Sequence, residues 1–442
     1  MRNNTSWLQH IPKHWEVKRL KDLGFFYGGL SGKSGDDFQC EDENIIKPFI
    51  PYTNILNNFY VNSQVVKFVL INDNEEQNKV QKGDLLFLMS SEDYESIAKA
   101  SVFCEDVDVM YLNSFCKGLR ITNKNVYSPF LCYVLSNDDC RDAIRLEAQG
   151  FTRINIKTGK VASASIPLPP LSEQEKIARY LDTKVGDIDQ KVSLIEKKIE
   201  RYQLLKKSII NKVVTKGLHP SAPLKNSQIS WLGQIPEHWE VKRLRDVCQL
   251  NGRIGFRGYT NDDIVEEESD GAITLGPSNL AGMHMDYSRC KYLSWDKYYE
   301  SPEIMVHEGD IILAKTASVG KYAYVDYLPK ETTVNPQLLV INNFYNVLSK
   351  YMAYCFASQI IETQINNNVV GSTILTISQV AIGNFKFLLP SLSEQQEIVS
   401  YLDQKCADID AIIANCTAQI EKYKTLKRAL INEVVTGQRT IE

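Results

Sequence analysis

Residues 11–20 read IPKHWEVKRL, and residues 235–244 repeat them as IPEHWEVKRL. Nine of the ten positions are identical, although the two copies start 224 residues apart. The match extends on both sides, because SWLQHIPKHWEVKRLKDLG from Ser6 parallels SWLGQIPEHWEVKRLRDVC from Ser230. Self-similarity at a long, fixed offset is typical of a duplicated structural unit. This decapeptide therefore predicts a chain built from two related halves.

A second repeated segment closes each half. Residues 170–189 read PLSEQEKIARYLDTKVGDID, and residues 391–410 read SLSEQQEIVSYLDQKCADID. Between the decapeptide and this segment the two halves share little sequence. Each half is thus a common opening, a variable body and a common tail. The bodies mix short β-branched and aromatic runs with possible short helices, which predicts compact domains containing both strands and helices.

The predicted fold class is α/β (α+β), with two pseudo-repeated globular domains separated by two long antiparallel coiled-coil helices. The predicted segments are a first body at 1–170, a long helix at 171–216, a linker at 217–229, a second body at 230–390 and a second long helix at 391–438. The linker is assigned from the Pro, Ser and Gly content of GLHPSAPLKNS, which begins at Gly217.

Both tails carry the heptad pattern of a coiled coil. Ser172 with Glu175, and Ser393 with Gln396, have capping-box spacing, so we expect a helix to begin at each serine. Nine of ten seam positions are apolar in each tail, over more than four heptads. The seams are Leu181, Val185, Ile188, Val192, Ile195, Ile199, Tyr202, Lys206, Ile209 and Val213 in the first tail, and Leu402, Cys406, Ile409, Ile413, Cys416, Ile420, Tyr423, Lys427, Leu430 and Val434 in the second.

The polar exception in each seam predicts how the helices are oriented. A parallel, in-register pair would place Lys206 against Lys427 in one buried layer, and like charges disfavour that arrangement. Two duplicated halves related by a pseudo-twofold axis also favour antiparallel helices. The alternative is that each lysine extends to water and carries no information about direction.

The composition excludes several classes of protein. The net charge is −4, so a surface that binds nucleic acid has to be created locally by folding. No stretch resembles a membrane span or a signal peptide, and we expect a soluble, cytoplasmic protein. The ten cysteines show neither a CxxC pair nor a spacing suited to metal ligands.

The sequence also lacks the motifs of common enzymes. It contains neither GxSxG nor HExxH, and GGLSGKS at Gly28 fails the spacing of a phosphate-binding loop. NPQL at Asn335 lacks the second proline and the aromatic residue expected of an adenine methyltransferase. We therefore expect no catalytic residue and no metal site in this chain.

The arrangement of repeats resembles the specificity subunit of Type I restriction-modification systems. LPPLSEQEKIARYLD with its second copy carries the resemblance, as do RIGFRGYT, SPEIMVHEGDIILAKTASVGK and GSTILTISQ in the second half. The resemblance implies a non-catalytic subunit used in phage defence. Each body would be a target recognition domain that reads one half of a split DNA sequence, and the antiparallel helices would act as a spacer.

The resemblance also implies partners and cofactors. Two methyltransferase subunits and the restriction subunits, which translocate DNA, would assemble on this chain and on double-stranded DNA. No cofactor is expected in the chain itself; S-adenosylmethionine, ATP and Mg would be bound by the partner subunits. The bipartite target would be asymmetric, because the two bodies differ.

Candidate DNA contacts are polar residues in loops of the bodies, because bases are read mainly by Arg, Lys, Asn, Gln, Ser and Thr. Arg253 and Arg257 in NGRIGFRGY are the best candidates, and Arg257→Ala is expected to weaken binding at one subsite. The other candidates in the second body are Lys315, Thr316, Ser318, Lys321, Ser372 and Thr373. The candidates in the first body are Lys33, Tyr52, Asn54, Ser90, Ser91, Thr152 and Arg153.

Two other functions compete with this interpretation. A coiled-coil adaptor that joins two protein-binding domains fits the composition, since the bodies are not basic. A self-contained nuclease or methyltransferase would require a cofactor motif. The decapeptide itself is interpreted as a structural anchor, with Trp7, Trp15, Trp231 and Trp239 holding each body to the helices. Phosphate contacts by its Lys and Arg residues are the alternative.

Overall fold

A computed structural model of the chain describes residues 6–9, 11–39, 46–72, 74–266 and 268–441. The chain forms two compact units. The first contains residues 1–195 and 417–442, and the second contains residues 196–416. Each unit therefore combines one body with part of both long helices. The boundaries predicted from the sequence stay a prediction.

The first unit is built from short strands and short helices that precede a long helix. Its strands are β1 (Glu16–Arg19), β2 (Gly24–Gly28), β3 (Ile46–Ile50), β4 (Lys67–Leu70), β5 (Leu85–Leu88), β6 (Ser90–Ser91), β7 (Ala100–Val102), β8 (Tyr111–Leu112), β9 (Cys116–Ile121), β10 (Ile154–Asn155) and β11 (Ser165–Leu168). Its helices are α1 (Tyr52–Asn57), α2 (Ser128–Ser136), α3 (Asp138–Arg145), α4 (Thr158–Ala162) and the start of α5 (Leu171–Lys216).

The second unit is likewise built from short strands and short helices that precede a long helix. Its strands are β12 (Leu224–Asn226), β13 (Gln234–Pro236), β14 (Glu240–Arg243), β15 (Gln249–Gly252), β16 (Ile264–Val265), β17 (Gly271–Leu275), β18 (Lys291–Ser294), β19 (Ile311–Ala314), β20 (Tyr322–Tyr324), β21 (Thr332–Val334), β22 (Leu338–Asn342) and β23 (Lys386–Leu389). Its helices are α6 (Trp295–Tyr299), α7 (Ser349–Phe356), α8 (Gln359–Asn368), α9 (Gln379–Gly383) and the start of α10 (Leu392–Val435).

Each unit contains two main sheets: a four-stranded sheet with equivalent strand order, and a second sheet of three strands in the first unit and four in the second. The orders are β2-β9-β5-β7 and β4-β3-β8 in the first unit, and β15-β22-β19-β20 and β16-β18-β17-β21 in the second. Strands β5 and β19 are buried along their whole length. Their sequences, LLFL and IILA, are uniformly apolar, as expected for strands covered on both faces. The predicted mixed fold class is confirmed.

The repeated decapeptide forms the joint between body and long helix. Its second half is strand β1 or β14, which pairs antiparallel with the last strand of the body, β11 or β23. Trp15 donates its indole N–H to Glu173 Oε1 at 3.2 Å, and Trp239 donates to Glu394 Oε2 at 2.9 Å. Both glutamates lie in the first turn of a long helix. The tryptophan thus fixes the start of the helix against the body.

A glutamine next to each of these glutamates completes the joint. The side-chain oxygen of Gln174 accepts the Tyr127 N–H at 2.8 Å, and its amide donates to the carbonyls of Asn125 and Pro169. Gln395 makes the matching bonds in the second unit. Both side chains are completely buried. A buried amide with all these bonds holds its loop in one position, because losing any of them would leave a polar group unsatisfied.

The anchoring role of the tryptophans is confirmed for Trp15 and Trp239, which are buried, and Trp7 packs partly against the same core as Trp15. Trp231 is 39% exposed and is not a comparable anchor. The predicted capping boxes do not form as expected: α5 and α10 begin one residue before Ser172 and Ser393. Glu175 pairs instead with Arg179, and Ser391 Oγ accepts the Glu394 N–H.

The long helices run antiparallel in the first unit, as predicted. Lys427 Nζ bonds both carboxylate oxygens of Asp189 at 2.7 Å, and Lys191 lies over the ring of Tyr423 at 5.8 Å. Residue numbers therefore fall along α10 as they rise along α5. Lys427 occupies a seam position, and the opposite helix supplies its counter-charge.

The second unit shows the same arrangement, but here the lysine lies on α5 and the aspartate on α10. Lys206 Nζ bonds both oxygens of Asp410 at 2.7 Å. Further along the chain, a β-carbon added at Gly217 would lie 3.3 Å from Glu394 Oε1. The two helices are thus antiparallel here as well. The lysine that would meet a lysine in a parallel pair meets an aspartate instead.

Within the part of the chain that the structure describes, no helix is both long and apolar enough to cross a membrane. The cysteines described there have free thiols; Cys40 lies outside the described residues.

Candidate nucleic-acid interface

Two of the loops predicted to bind DNA come together in the second unit. One connects β19 to β20 and contains Thr316, and the other precedes α9 and contains Thr376. The hydroxyl oxygens of these threonines lie 3.3 Å apart. The backbone N–H of Ala317 donates to the Leu375 carbonyl at 2.8 Å, and the N–H of Ile377 donates to the Lys315 carbonyl at 2.9 Å. Four candidates, Lys315, Thr316, Ser372 and Thr373, therefore belong to one continuous surface.

Lys315 stands out electrostatically at the base of this surface. The end of β15 lies close to it, because a β-carbon added at Gly252 would be 3.0 Å from Lys315 Nζ. Among the described residues, no hydrogen bond or ion pair involves this ammonium group. Burial lowers the pKa of Lys315 below its ordinary value. The side chain is a partly desolvated cation without a counter-charge, which favours an anionic or acceptor-rich ligand.

The remaining candidates of this surface differ in how free their side chains are. Ser318, Ser372 and Thr373 are exposed. Lys321 Nζ donates to the Pro277 carbonyl at 2.8 Å, so its ammonium group has a partner within the unit. Ile374, next to Thr373, is 62% exposed and adds an apolar side chain to the same loop. The surface thus offers hydroxyl groups, one desolvated amine and an apolar contact.

The two arginines favoured by the sequence are bound within the fold. Arg253 is 7% exposed, and its guanidinium donates to the Val334 carbonyl and to Thr333 Oγ1 at 3.3–3.4 Å. Burial lowers the pKa of Arg253. Arg257 Nη1 pairs with Glu303 Oε2 at 3.3 Å. These contacts shape the loop after β15, and the proposed base contacts of both arginines stay a prediction.

Four candidates of the first unit share one cavity of about 190 Å³. Ser90 and Ser91 form β6, which pairs with β10 just after Arg153. The Arg153 guanidinium lies 4.2 Å from the centre of the Phe115 ring. The cavity is lined by Tyr52, Leu56, Leu88, Ser90, Ser91, Glu92, Asp93, Phe115 and Arg153. The sequence did not single out Phe115, because nothing local marks an aromatic residue as the platform of a distant arginine.

The other candidates of the first unit differ in accessibility. Lys33 Nζ pairs with Glu75 at 2.5 Å, and its side chain is almost completely buried. Asn54 is buried and donates to the carbonyls of Asn62 and Val65, so its amide stabilises the fold.

Thr152 is exposed beside Phe151, whose ring is completely accessible to solvent. Phe151 was not among the predicted DNA contacts. The preceding Gly150, which has a φ of 136°, is the sequence feature that could have marked this loop.

The two candidate surfaces occupy equivalent positions in the duplicated fold. Ser90 and Asn155 are backbone partners in an antiparallel β-pairing, as are Thr316 and Thr376. The N–H of Ile156 donates to the Met89 carbonyl, just as that of Ile377 donates to Lys315. Met89 therefore occupies in the first unit the position of Lys315 in the second. The same backbone presents an apolar side chain in one body and a cation in the other.

Comparison with known proteins places this fold in a family. The family model described as Type I restriction modification DNA specificity domain matches residues 12–201 and 236–422. The Type I restriction enzyme MjaVIII specificity subunit of Methanocaldococcus jannaschii is 24% identical, over 97% of this chain and 93% of that protein. The Type I restriction enzyme EcoKI specificity subunit of Escherichia coli (strain K12) is 22% identical, over 98% of this chain and 90% of that protein.

Solved structures show the same fold. A chain from the work titled "Structural basis underlying complex assembly and conformational transition of the type I R-M system" has a TM-score of 0.72 and 18% identity, covering 97% of this chain and 99% of that chain. The HsdS subunit from Thermoanaerobacter tengcongensis has a TM-score of 0.50 and 17% identity, covering 97% and 98%. Since the family model matches both halves of the duplication, this chain belongs to the Type I restriction-modification DNA specificity subunit family.

Proposed function

We propose that the chain is the DNA sequence-recognition subunit of a Type I restriction-modification complex. Its two bodies would read the two parts of a bipartite target. The bodies carry different side chains at equivalent positions, as Met89 and Lys315 illustrate, so the two subsites would differ in sequence. The target would then be asymmetric.

The observation that carries this proposal is the state of Lys315. A half-buried lysine without a counter-charge is costly for the free protein, and the cost is recovered when an acceptor binds. Lysine recognises guanine through the O6 and N7 acceptors in the major groove. The neighbouring Thr316, Ser372 and Thr373 supply short hydroxyl groups of the type that contact bases and phosphates.

The same proposal assigns roles to other components of the complex. The antiparallel segments of α5 and α10 would serve as a spacer and as a platform for two methyltransferase subunits, which restriction subunits would join. Catalysis would belong to these partners, together with S-adenosylmethionine, ATP and Mg. The complex would act on double-stranded DNA in the cytoplasm.

Mapping methylated adenines in host DNA, with and without this gene, tests the proposal directly. The expected result is one bipartite motif that loses methylation when the gene is removed. A mobility-shift assay of the chain with its methyltransferase partner should show binding that depends on sequence and weakens with salt. Sequence-independent binding, or none, would favour the protein adaptor instead.

A further inference from the structure

The duplicated units also differ at a matching pair of buried aspartates, Asp84 and Asp310. Each follows a glycine with a φ of about 90°, and each immediately precedes an inner strand, β5 or β19, of its four-stranded sheet. Asp84 is 2% exposed and Asp310 is 6% exposed. A buried carboxylate is normally stabilised by hydrogen-bond donors. The donors around Asp84 and Asp310 differ.

In the first unit, side chains of the same unit donate hydrogen bonds to both carboxylate oxygens of Asp84. Arg120 donates to Asp84 Oδ1 through Nε at 3.1 Å and to Oδ2 through Nη2 at 2.8 Å. The Tyr27 hydroxyl also donates to Oδ2, at 2.6 Å. The hydrogen bond with Asp84 raises the pKa of Arg120. This fork-to-carboxylate geometry is the strongest type of ion pair that side chains form.

In the second unit both donors are replaced. The register that pairs Phe25 with Arg120 in the first unit pairs Gln249 with Asn342 in the second. Asn342 thus stands where Arg120 stands, and Asn251 takes the place of Tyr27. Asn251 donates to the side chain of Asn342 at 3.1 Å rather than to the aspartate.

Asp310 is consequently short of donors. Its Oδ2 accepts the backbone N–H of His307 at 2.8 Å, and the His307 ring lies 3.8 Å away. Among the described residues no donor reaches Oδ1. Burial raises the pKa of Asp310 to about 6, against the opposing effects of His307. Glu303 Oε1, nearby, is also buried without a hydrogen-bond partner in the described part of the chain, whereas Glu303 Oε2 pairs with Arg257 at 3.3 Å.

These carboxylates line an open cavity of about 490 Å³. Its lining contains Glu303, Glu308, Asp310 and His307 but neither lysine nor arginine, within the residues that the structure describes. Its volume is sufficient for a long side chain. The cavity lies at the start of β19, whereas Lys315 follows the end of that strand. The acidic lining and this position both argue against DNA as the occupant.

We propose that this cavity receives an arginine side chain from a partner protein, whose guanidinium would bind Asp310 as Arg120 binds Asp84. The duplicated unit supplies the geometric precedent, and Asp310 Oδ1, which no donor of the described residues reaches, supplies the acceptor. Arginine is preferred over lysine because a planar fork matches two carboxylate oxygens. This inference does not depend on DNA recognition. The site lies at the opposite end of β19 from Lys315, and the predicted DNA contact Arg257 touches it through Glu303.

The test uses the full chain and N-acetyl-L-arginine methylamide, which carries only the side-chain charge. Saturation-transfer NMR should show binding that Asp310→Asn weakens at least about 10-fold. Asn342→Arg should weaken it similarly, because the new arginine would occupy the acceptors from within the chain. Glu331→Gln, an exposed carboxylate outside the cavity, is the charge-matched control and should bind as the parent chain does.

Two results would overturn the proposal. One is equal binding by the parent chain and Asp310→Asn. The other is equal binding of the lysine analogue or of spermidine, which would indicate a nonspecific acidic surface. If Asn342→Arg does not fold, Asp310→Asn still decides the question. The mobility shift of both variants on DNA should equal that of the parent chain, so a failure of DNA recognition is recorded separately from a failure of this site.

Discussion

The two units keep their joints identical and change what their bodies present. Trp15 and Trp239, with Glu173 and Glu394, make the same bonds at the same positions. At the ends of the central strands the units diverge, because Met89 is replaced by Lys315 and Arg120 by Asn342. A duplicated scaffold can tolerate such changes when they leave the joint untouched. The difference separates residues that fix the architecture from positions that are free to vary, among which is the proposed DNA contact Lys315.

The largest expected effect concerns the joint. Trp239→Ala should destabilise the second unit by about 3–5 kcal/mol, because a completely buried indole and its bond to Glu394 are lost. Denaturant unfolding followed by fluorescence measures this. Trp231→Ala is the control and should change the free energy of unfolding by less than about 1 kcal/mol, since that side chain is partly exposed. Equal effects would contradict the distinction between anchor and surface tryptophan.

The next effect concerns the interface. Lys315→Met copies the side chain of the first unit and should weaken specific DNA binding by about 1–3 kcal/mol, with relaxed preference at one subsite only. Binding to a panel of targets, each altered at a single base pair, measures this. Lys291→Ala removes an exposed lysine of the same unit and should leave the preference unchanged. A uniform loss across all targets would assign Lys315 to a phosphate rather than a base.

A smaller effect concerns the buried aspartates. The folded pKa of Asp310 is about 6, above the ordinary value of 3.8, so the folded state holds this proton more tightly than the unfolded state. Its contribution to stability is present below pH 4 and is lost as the pH rises to about 6. The slope cannot exceed about 1.4 kcal/mol per pH unit. Asp310→Asn should remove this contribution from a series of unfolding curves between pH 4 and pH 7; an unchanged slope would refute the assignment.

The smallest effect concerns the seams of the long helices. Lys206 and Asp410 are partly exposed, as are Lys427 and Asp189, so each pair should contribute less than about 1 kcal/mol. Double-mutant cycles with alanine measure the two coupling energies, which should be similar because the geometry is the same in both units. A coupling energy of zero in both would mean that apolar seam contacts alone set the direction of the helices.

Much of the fold follows from local patterns. Heptad spacing predicted the long helices, and the two lysines in the seams predicted their antiparallel direction. The interface was less predictable. The sequence favoured Arg253 and Arg257, yet Arg253 is held by Thr333 and Val334, about eighty positions further along the chain. A loop rich in glycine and arginine looks the same whether its guanidinium groups face solvent or the core.

By itself, the sequence determined the duplication, the helical tails and the family, because repeats and heptads are properties of neighbouring residues. Only the tertiary structure decided which polar groups have fewer partners than their burial requires. Lys315 and Asp310 differ from other lysines and aspartates through the strands that bury them and the donors or acceptors that those strands lack. The number of donors or acceptors near a buried group depends on residues that are distant in sequence. It is therefore defined only when the chain is folded.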